Sequence, residues 1–546
     1  MLMKRAILVV LLAVTLAVPF LLRPKKPSAG QADVTLVIIT PHNEAIRYEF
    51  GLGFQRWYKQ QTGRNVFVDW RVIGGTTEIT RYLNGEYTAA FRNYWTHVLK
   101  RPWSNAVEAG FANPRIKPGP APDRDTPAEA ARRAFLASDV DCGIDLFFGG
   151  GSYDFVRQAD AGQIVDCGVL ARHPEWFTED VIPRFYAGEE YWDKQGRWVG
   201  TVLSNYGILS NREALARLGI KEPLTRWADL EDPRLQGAVA LSDPTKSSSM
   251  AKAFENVIQQ QMQERLLDLM VEADRISDLD EKTVVAKAVH EGWIEGLRRV
   301  QLISANARYF TDSSQKVPID VADGDCAAGM CIDFYGRQQA EAERRRGGSD
   351  RLAFISPAGG TVSSVDPIAL MRGAKNRAVA LAFIDWVLSP EVQKLWDFRP
   401  GTPGGPERYN LRRLPVRRDF YAHEDWKPFR SDPDVSPFTE RNQLIYHEEW
   451  TGGLFPEMSF IIRVMCQDSH EELVAAWRAI VAAGKANRAR EVLQDMSAVD
   501  YDKTVGEIKA ALSAKDKVEE VKLATRLGRQ FRRQYQRAAD LARLGQ

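Results

Sequence analysis

The sequence predicts an α/β fold arranged as two lobes and followed by a helical C-terminal extension, and three observations carry that prediction. The first is an opening alternation of strand and helix signals. Residues 34–40 form a continuous apolar run rich in Val and Ile, as a strand covered on both faces requires, and Pro41 ends it. A helix is expected at about 44–61, with Ile46, Phe50, Phe54 and Trp57 on one face and Gly63 as its stop. Residues 65–72 read as a second strand, Gly74-Gly75 as a turn, and 76–83 as a second helix with Gly85 beyond it. Strand, helix, strand, helix makes a parallel α/β layer. The second observation is a crossing out at 199–209 and an ordered return through 354–393. The third is the steady alternation of apolar with Lys, Arg, Glu and Asp positions over 471–544, which reads as amphipathic helix.

Between these points the pattern continues in order. Residues 97–140 carry Pro102, Pro114, Pro118, Pro120, Pro122 and Pro127 and read in part as a surface excursion. A strand resumes at 144–148, and Gly149-Gly150-Gly151-Ser152 leads into a helix. The second lobe holds a helical stretch from 250 to about 300 and a strand at 330–334. On the return, Pro357, Gly359 and Gly360 punctuate the crossing, 368–371 is a short apolar strand and Gly373 closes it with a turn. Asn376 is placed to cap a helix carrying Ala378, Leu381, Ala382, Ile384 and Val387, and Ser389-Pro390-Glu391 starts another. The helices beyond 441 are expected to pack on the first lobe, with a partner-binding extension as the alternative.

Composition narrows the function. A formal net charge of +1 over 546 residues leaves no basic excess for neutralising phosphates, which argues against a nucleic-acid binder. Lys4 and Arg5 precede an apolar run at 6–22, interrupted by Thr15 and Pro19 and followed by Arg23, Lys25 and Lys26. This is a secretion signal or an N-terminal membrane anchor, with a weak cleavage signal near Ser28-Ala29-Gly30, so the bulk of the chain is expected to be exported. Export permits disulfides among Cys142, Cys167, Cys326, Cys331 and Cys466, with Cys326–Cys331 and Cys142–Cys167 the nearest pairs; five buried thiols is the other reading.

The return passage also resembles a family. Val365-Asp366-Pro367-Ile368-Ala369, Gly373-Ala374-Lys375-Asn376, Ala382-Phe383-Ile384-Asp385-Trp386 and Leu388-Ser389-Pro390-Glu391-Val392-Gln393 resemble the extracellular solute-binding proteins of ABC importers. The nearest branch is the ferric-ion, thiamine and phosphorylated-compound group. Asn205-Tyr206-Gly207-Ile208 with Asn211-Arg212, and Trp227-Ala228-Asp229-Leu230 with Asp232-Pro233 and Asp243-Pro244, match in the expected order. The resemblance implies a type II periplasmic-binding-protein fold, no cofactor, a small-molecule or chelated-ion ligand and a membrane permease as partner. It implies lobe 1 at 33–200 and 361–440, lobe 2 at 201–360, and an extension at 441–546 that it does not explain.

Candidate ligand contacts follow from the fold, because crevices in open α/β sheets lie where strands lead into helix N-termini. Four loops meet this description: Thr40-Pro41-His42-Asn43, Gly74-Gly75-Thr76-Thr77, Gly149-Gly150-Gly151-Ser152 and Thr245-Lys246-Ser247-Ser248-Ser249. Asn205, Asp333, Tyr335, Arg337, Thr361, Ser363 and Ser364 complete the candidates. In ferric-binding relatives two adjacent tyrosines hold the metal at the place of Phe334-Tyr335, and phenylalanine cannot coordinate. A reduced metal site from Tyr335, His42 and Glu78 with an added anion stays open. Arg337 suits a phosphate or carboxylate, which favours an anionic organic ligand such as a sugar phosphate or phosphonate. Thiamine or its phosphate esters stay open too, since Trp192, Trp198 and Tyr206 could supply stacking faces. An exported hydrolase has thin support, because His447-Glu448-Glu449 and His470-Glu471-Glu472 lack a second histidine and Gly150-Gly151-Ser152-Tyr153-Asp154 lacks the glycine of a nucleophile elbow. A sensor input module on the same fold is the third class.

Overall fold

A computed structural model describes residues 32–273, 280–439, 443–514 and 516–546. The N-terminal apolar run and its cleavage signal lie outside them. The chain first lays down β1 (Val34–Ile39), β2 (Val66–Arg71), β3 (Leu146–Phe148), β4 (Ile164–Val165), the hairpin β5 (Phe185–Tyr186) and β6 (Glu189–Glu190), and β7 (Trp198–Ser204). It then crosses and builds β8 (Tyr206–Asn211), β9 (Val239–Ser242), β10 (Ala307–Thr311), β11 (Ala328–Ile332) and β12 (Leu352–Ile355). It returns with β13 (Ser364–Met371) and β14 (Leu414–Pro415).

Two sheets result. The first has the order β14-β7-β13-β3-β1-β2 with β4 beside β13, and the second the order β10-β9-β11-β8-β12. Parallel pairs β1–β2 and β1–β3 form the α/β layer expected from the opening alternation, while β13 runs antiparallel to β3 and β7. This is the two-lobed α/β type II arrangement with a helical C-terminal region.

Several expected boundaries move. Residues 201–204 belong to the first sheet rather than the second lobe, because β7 is buried along its whole length and pairs with β13, so the crossing falls on Asn205. The second helix does not stop at Gly85 but continues to Asn93, since Leu83, Tyr87 and Phe91 keep its apolar face buried through the glycine. Strand β11 ends at Ile332 and a helix starts at Asp333, ahead of the expected strand end at 334. Asn376 takes the N-cap position of the helix that follows, as expected, but its side-chain amide donates to Asp145 and makes no capping bond.

The C-terminal helices pack on the second lobe, not the first. Trp227, Phe254, Trp293 and Met330 share one core with Trp477, Phe531 and Tyr535. The Trp293 indole N–H donates to the Val499 carbonyl at 2.8 Å, and that of Trp477 to the Asn306 side-chain oxygen at 2.9 Å. A separate core of Leu36, Ile38, Phe50, Phe54, Phe148, Phe383 and Trp396 fills the first lobe. The amphipathic pattern fixed the buried face of these helices but named no partner. All five cysteines are buried free thiols, so neither expected pairing forms. Among the described residues no helix is long and apolar enough to cross a membrane.

If the second lobe and the extension form one core, Trp477→Ala removes a shared anchor and should destabilise the protein by about 4 kcal/mol. Denaturant unfolding followed by tryptophan fluorescence and by circular dichroism should show both regions losing structure in one transition; separate transitions would contradict a common core.

Candidate functional site

The lobes face each other across a cavity of about 790 Å³ lined by residues of both lobes and of the C-terminal region. Four helices begin at its edge: α1 (Glu44–Thr62), α2 (Thr76–Asn93) and α3 (Ser152–Ala161) from the first lobe, and α4 (Ser248–Ala273) from the second. Each follows a strand through a loop of small or polar residues. Asn43 caps α1, accepting from the Ile46 N–H at 3.1 Å, and the Ser247 hydroxyl accepts from Met250 N–H at 3.3 Å. The caps of α2 and α3 are Gly75 and Gly151, which offer no side-chain acceptor. First-turn N–H groups have no acceptor within their own helix, so these two termini present donors and positive dipole ends to the cleft.

Glycine permits this convergence. Gly150 has φ of 111°, and a Cβ there would lie 2.1 Å from the Thr76 methyl. The Thr76 and Ser248 hydroxyls meet at 2.6 Å, joining the start of α2 to the start of α4 across the lobes. A Cβ on Gly75 would fall 3.0 Å from the Lys246 carbonyl, and one on Gly151 4.0 Å from the Ser248 hydroxyl. Three helix starts thus gather at one point, with Arg47, Arg157 and Lys246 among the lining residues. Lys246 pairs with Asp312 at 2.7 Å, and Arg157 donates to the Tyr153 hydroxyl at 2.8 Å.

A buried charge cluster lies at the inner side of the first lobe. Arg413, 1 % exposed, bonds Asp366 at 2.7 Å and the Ser204 hydroxyl at 2.5 Å, and its guanidinium sits 4.4 Å over the Phe334 ring. Burial alone would raise the Asp366 carboxyl, but Arg413 and His42 outweigh it and hold it below its usual range. His42 Nε2 lies 3.6 Å from Asp366 and 3.5 Å from Arg413. Burial lowers its pKa more than Asp366 raises it, so the imidazole is neutral at pH 7. At another side of the cavity Lys252 bonds Glu189 at 2.7 Å and Glu255 at 2.9 Å and lies 3.5 Å over the Tyr446 ring.

Of the sequence candidates, His42, Asn43, Gly75, Thr76, Glu78, Gly150, Gly151, Ser152, Ser247, Ser248, Ser249, Tyr335 and Ser364 line the cavity, as do Trp198 and Tyr206. Others lie behind it. Thr40 is fully buried and its hydroxyl accepts from the His42 N–H. Asn205 and Thr361 tie the crossings together: Ser356 donates to Asn205 Oδ1 at 3.1 Å, and Tyr206 N–H to the Thr361 hydroxyl at 3.0 Å. Asp333 is buried and paired with the partly buried Arg337, which also approaches Asp432 at 3.6 Å, so this arginine serves the junction between lobes instead of a ligand. Ser363 is buried, with its carbonyl accepting from the Tyr191 hydroxyl. Trp192 donates to the Ile182 carbonyl and packs on Phe177. Among the described residues no three His, Cys, Asp or Glu side chains gather for a metal.

Sequence reasoning missed Arg413, Asp366 and Lys252. Asp366 stood within the family block, and a buried acid beside Pro367 on a strand was the available signal that a cation must join it. Lys252 had the weaker signal of a basic residue one turn into a helix otherwise lined by Met250, Ala253 and Phe254.

Comparison with known proteins bears on what this cleft belongs to. Residues 142–410 match the family described as bacterial extracellular solute-binding protein. Over that stretch the chain resembles the bacterial extracellular solute-binding proteins. An uncharacterized protein of Haemophilus influenzae is 26 % identical over 252 residues, 46 % of this chain and 60 % of that protein. The phosphoglycerate transport regulatory protein PgtC of Salmonella typhimurium is 26 % identical over 199 residues, 36 % of this chain and 40 % of that protein. The chain thus spans less than two thirds of the length of these curated relatives. The periplasmic binding protein AfuA from Actinobacillus pleuropneumoniae, solved with exogenous fructose-6-phosphate bound, aligns with a TM-score of 0.48 at 15 % identity, covering 82 % of this chain and 98 % of that one.

Two outcomes are expected of the buried cluster. Arg413→Met strands Asp366 in a largely buried place and should cost about 3 kcal/mol in denaturant titration. Folding depresses the His42 pKa from its usual 6.5, so the unfolded chain takes the proton first and stability falls as pH drops below that value toward the folded pKa. His42→Gln should therefore flatten the decline in melting temperature between about pH 7 and 5. His470, also lowered by burial, retains its own share of that slope.

Proposed function

We propose that this protein is the substrate-binding component of an ABC importer, working outside the cytoplasm and delivering its cargo to a membrane permease. The cargo is a small organic anion of the sugar phosphate or phosphonate type. The observation that carries this reading is the meeting of the α2, α3 and α4 starts, two of them without side-chain caps, at a contact that joins the lobes. Helix N-termini bind phosphates and carboxylates through free N–H groups and the dipole. An anion seated there touches both lobes at once, so it favours the closed arrangement over any open one. A role in binding rather than catalysis fits the family, and the name of the Salmonella relative, a phosphoglycerate transport regulatory protein, agrees with a phosphorylated ligand.

Iron with a synergistic anion is less well supported. Burial pushes the Tyr335 phenol up to about 12, against the phenolate a ferric site needs, and His42 faces the Arg413 guanidinium. For thiamine esters the support is the aromatic lining of Trp198 and Tyr206 together with the same anion seat.

A thermal-shift panel of sugar phosphates, phosphonates, thiamine phosphate and ferric ion with and without citrate tests the reading. A true ligand at 100 times its Kd should stabilise the protein by about 2.7 kcal/mol. Small-angle scattering should show the chain at its most compact with that ligand. Thr76→Val and Ser248→Ala should each weaken binding by about 1 kcal/mol, and the double variant by scarcely more, because one hydrogen bond is lost in each case. Stabilisation by ferric ion alone would overturn the organic-anion assignment.

A further inference from the structure

Residues 443–455 leave the first lobe, pass beside the cavity and enter the C-terminal helices. They lie beyond the 142–410 stretch matched by the solute-binding family, yet Tyr446, Glu448, Gly452, Gly453 and Phe455 line the cavity. Their attachments reach both lobes. On the second lobe, the Gln259 side chain accepts from the His447 N–H at 2.8 Å and donates to the His447 carbonyl at 2.8 Å. Glu255 accepts from the Tyr446 hydroxyl at 3.1 Å and from the Thr451 hydroxyl at 2.6 Å. On the first lobe, the Tyr446 N–H donates to the Ala187 carbonyl at 2.8 Å, and the Phe455 ring packs 4.8 Å from Tyr153 in the first turn of α3. The Leu444 N–H donates to the Thr361 carbonyl, which lies on the return crossing. Gly188 leaves no gap behind the segment, since a Cβ there would fall 1.9 Å from the Tyr446 carbonyl oxygen.

We propose that residues 443–455 form a third wall of the ligand cleft, with Tyr446 and Phe455 limiting the length of the ligand and the acidic groups beside them reading its far end. The inference rests on the solute-binding role and deepens it. Phe455 reaches the cleft beside the start of α3, where the anion seat lies, and Tyr446 stands over Lys252, one turn into α4. Glu189, Glu190, Glu255 and Glu448 line this side together with Lys252. Glu190 is paired with Arg184, and Lys252 is shared by Glu189 and Glu255. Ser364 also donates to Glu189, and the exposed Glu448 carboxylate faces the cleft, so the complementary ligand end carries donors, as the hydroxyls of a polyol do. The cargo class is then a short hydroxylated anion with its charged head at the helix starts and its hydroxyls toward the wall.

The test uses the full chain and a graded panel: inorganic phosphate, glycerol phosphate, pentose phosphates and hexose phosphates, each organic ester matched by its unphosphorylated polyol. Calorimetric titration of wild type, Tyr446→Ala, Phe455→Ala and Tyr446→Phe gives the preferred length for each. Wild type should favour one length. Tyr446→Ala and Phe455→Ala should move the preference to a longer ester by about tenfold or more, as removal of a pocket wall does, and Tyr446→Ala, away from the anion seat, should preserve inorganic phosphate binding. Tyr446→Phe keeps the ring and should keep the preferred length, which separates a wall from a general loss of folding. An unchanged length ranking in both alanine variants overturns the proposal. If the wild type binds esters no better than polyols, the anion seat has failed, and the polyol ranking still decides the wall: a shift upholds it, and no shift overturns it.

Discussion

The structure depends on one contact, the approach of the α2 and α4 helix starts from opposite lobes. Thr76 and Ser248 can meet at 2.6 Å only because Gly150 removes the side chain that would occupy the same space. The same approach brings first-turn N–H donors of α2 and α3, which have no side-chain cap, to one edge of the cavity, and each separately would be an ordinary solvated helix end. Like-sign dipole ends repel one another, so this convergence is most stable with negative charge between them. On the proposed function, closure and anion binding are the same physical event seen from two sides.

Other buried charges keep the lobes in register around that contact. Arg413 joins Asp366 on β13 to Ser204 at the end of β7 and lies over Phe334 of the second lobe. Arg412, paired with Asp432, also reaches Glu341 of the second lobe at 3.2 Å, and the Asn410 amide donates to Glu341 at 2.9 Å. The C-terminal helices add rigidity to one side only, because their apolar faces complete the second-lobe core. The segment 443–455 is bonded to this second-lobe body while also touching the first lobe.

Much of the scaffold was legible in the sequence. The Val and Ile run at 34–40, the glycine-ended helix after it and the ordered return passage announced the first sheet, its layer and the crossings, because strand and helix periods are local properties. The small-residue loops announced the cleft edge for the same reason. Arg337 misled, since a guanidinium near a crevice and one spent on Asp333 look identical until the helix register brings them together. Arg413 and Lys252 were missed because their partners lie far away in sequence. The docking face of 443–546 was invisible too: an amphipathic stripe says that something must cover it, and the choice between two lobes is made by shape complementarity.

The central claim is that backbone N–H groups from both lobes hold one anion, and amide hydrogen exchange reads those groups directly. On adding the best-bound phosphate ester, exchange should slow together at 75–77, at 151–153 and at 248–249. A ligand that binds and leaves all three segments exchanging at their ligand-free rates would contradict the account.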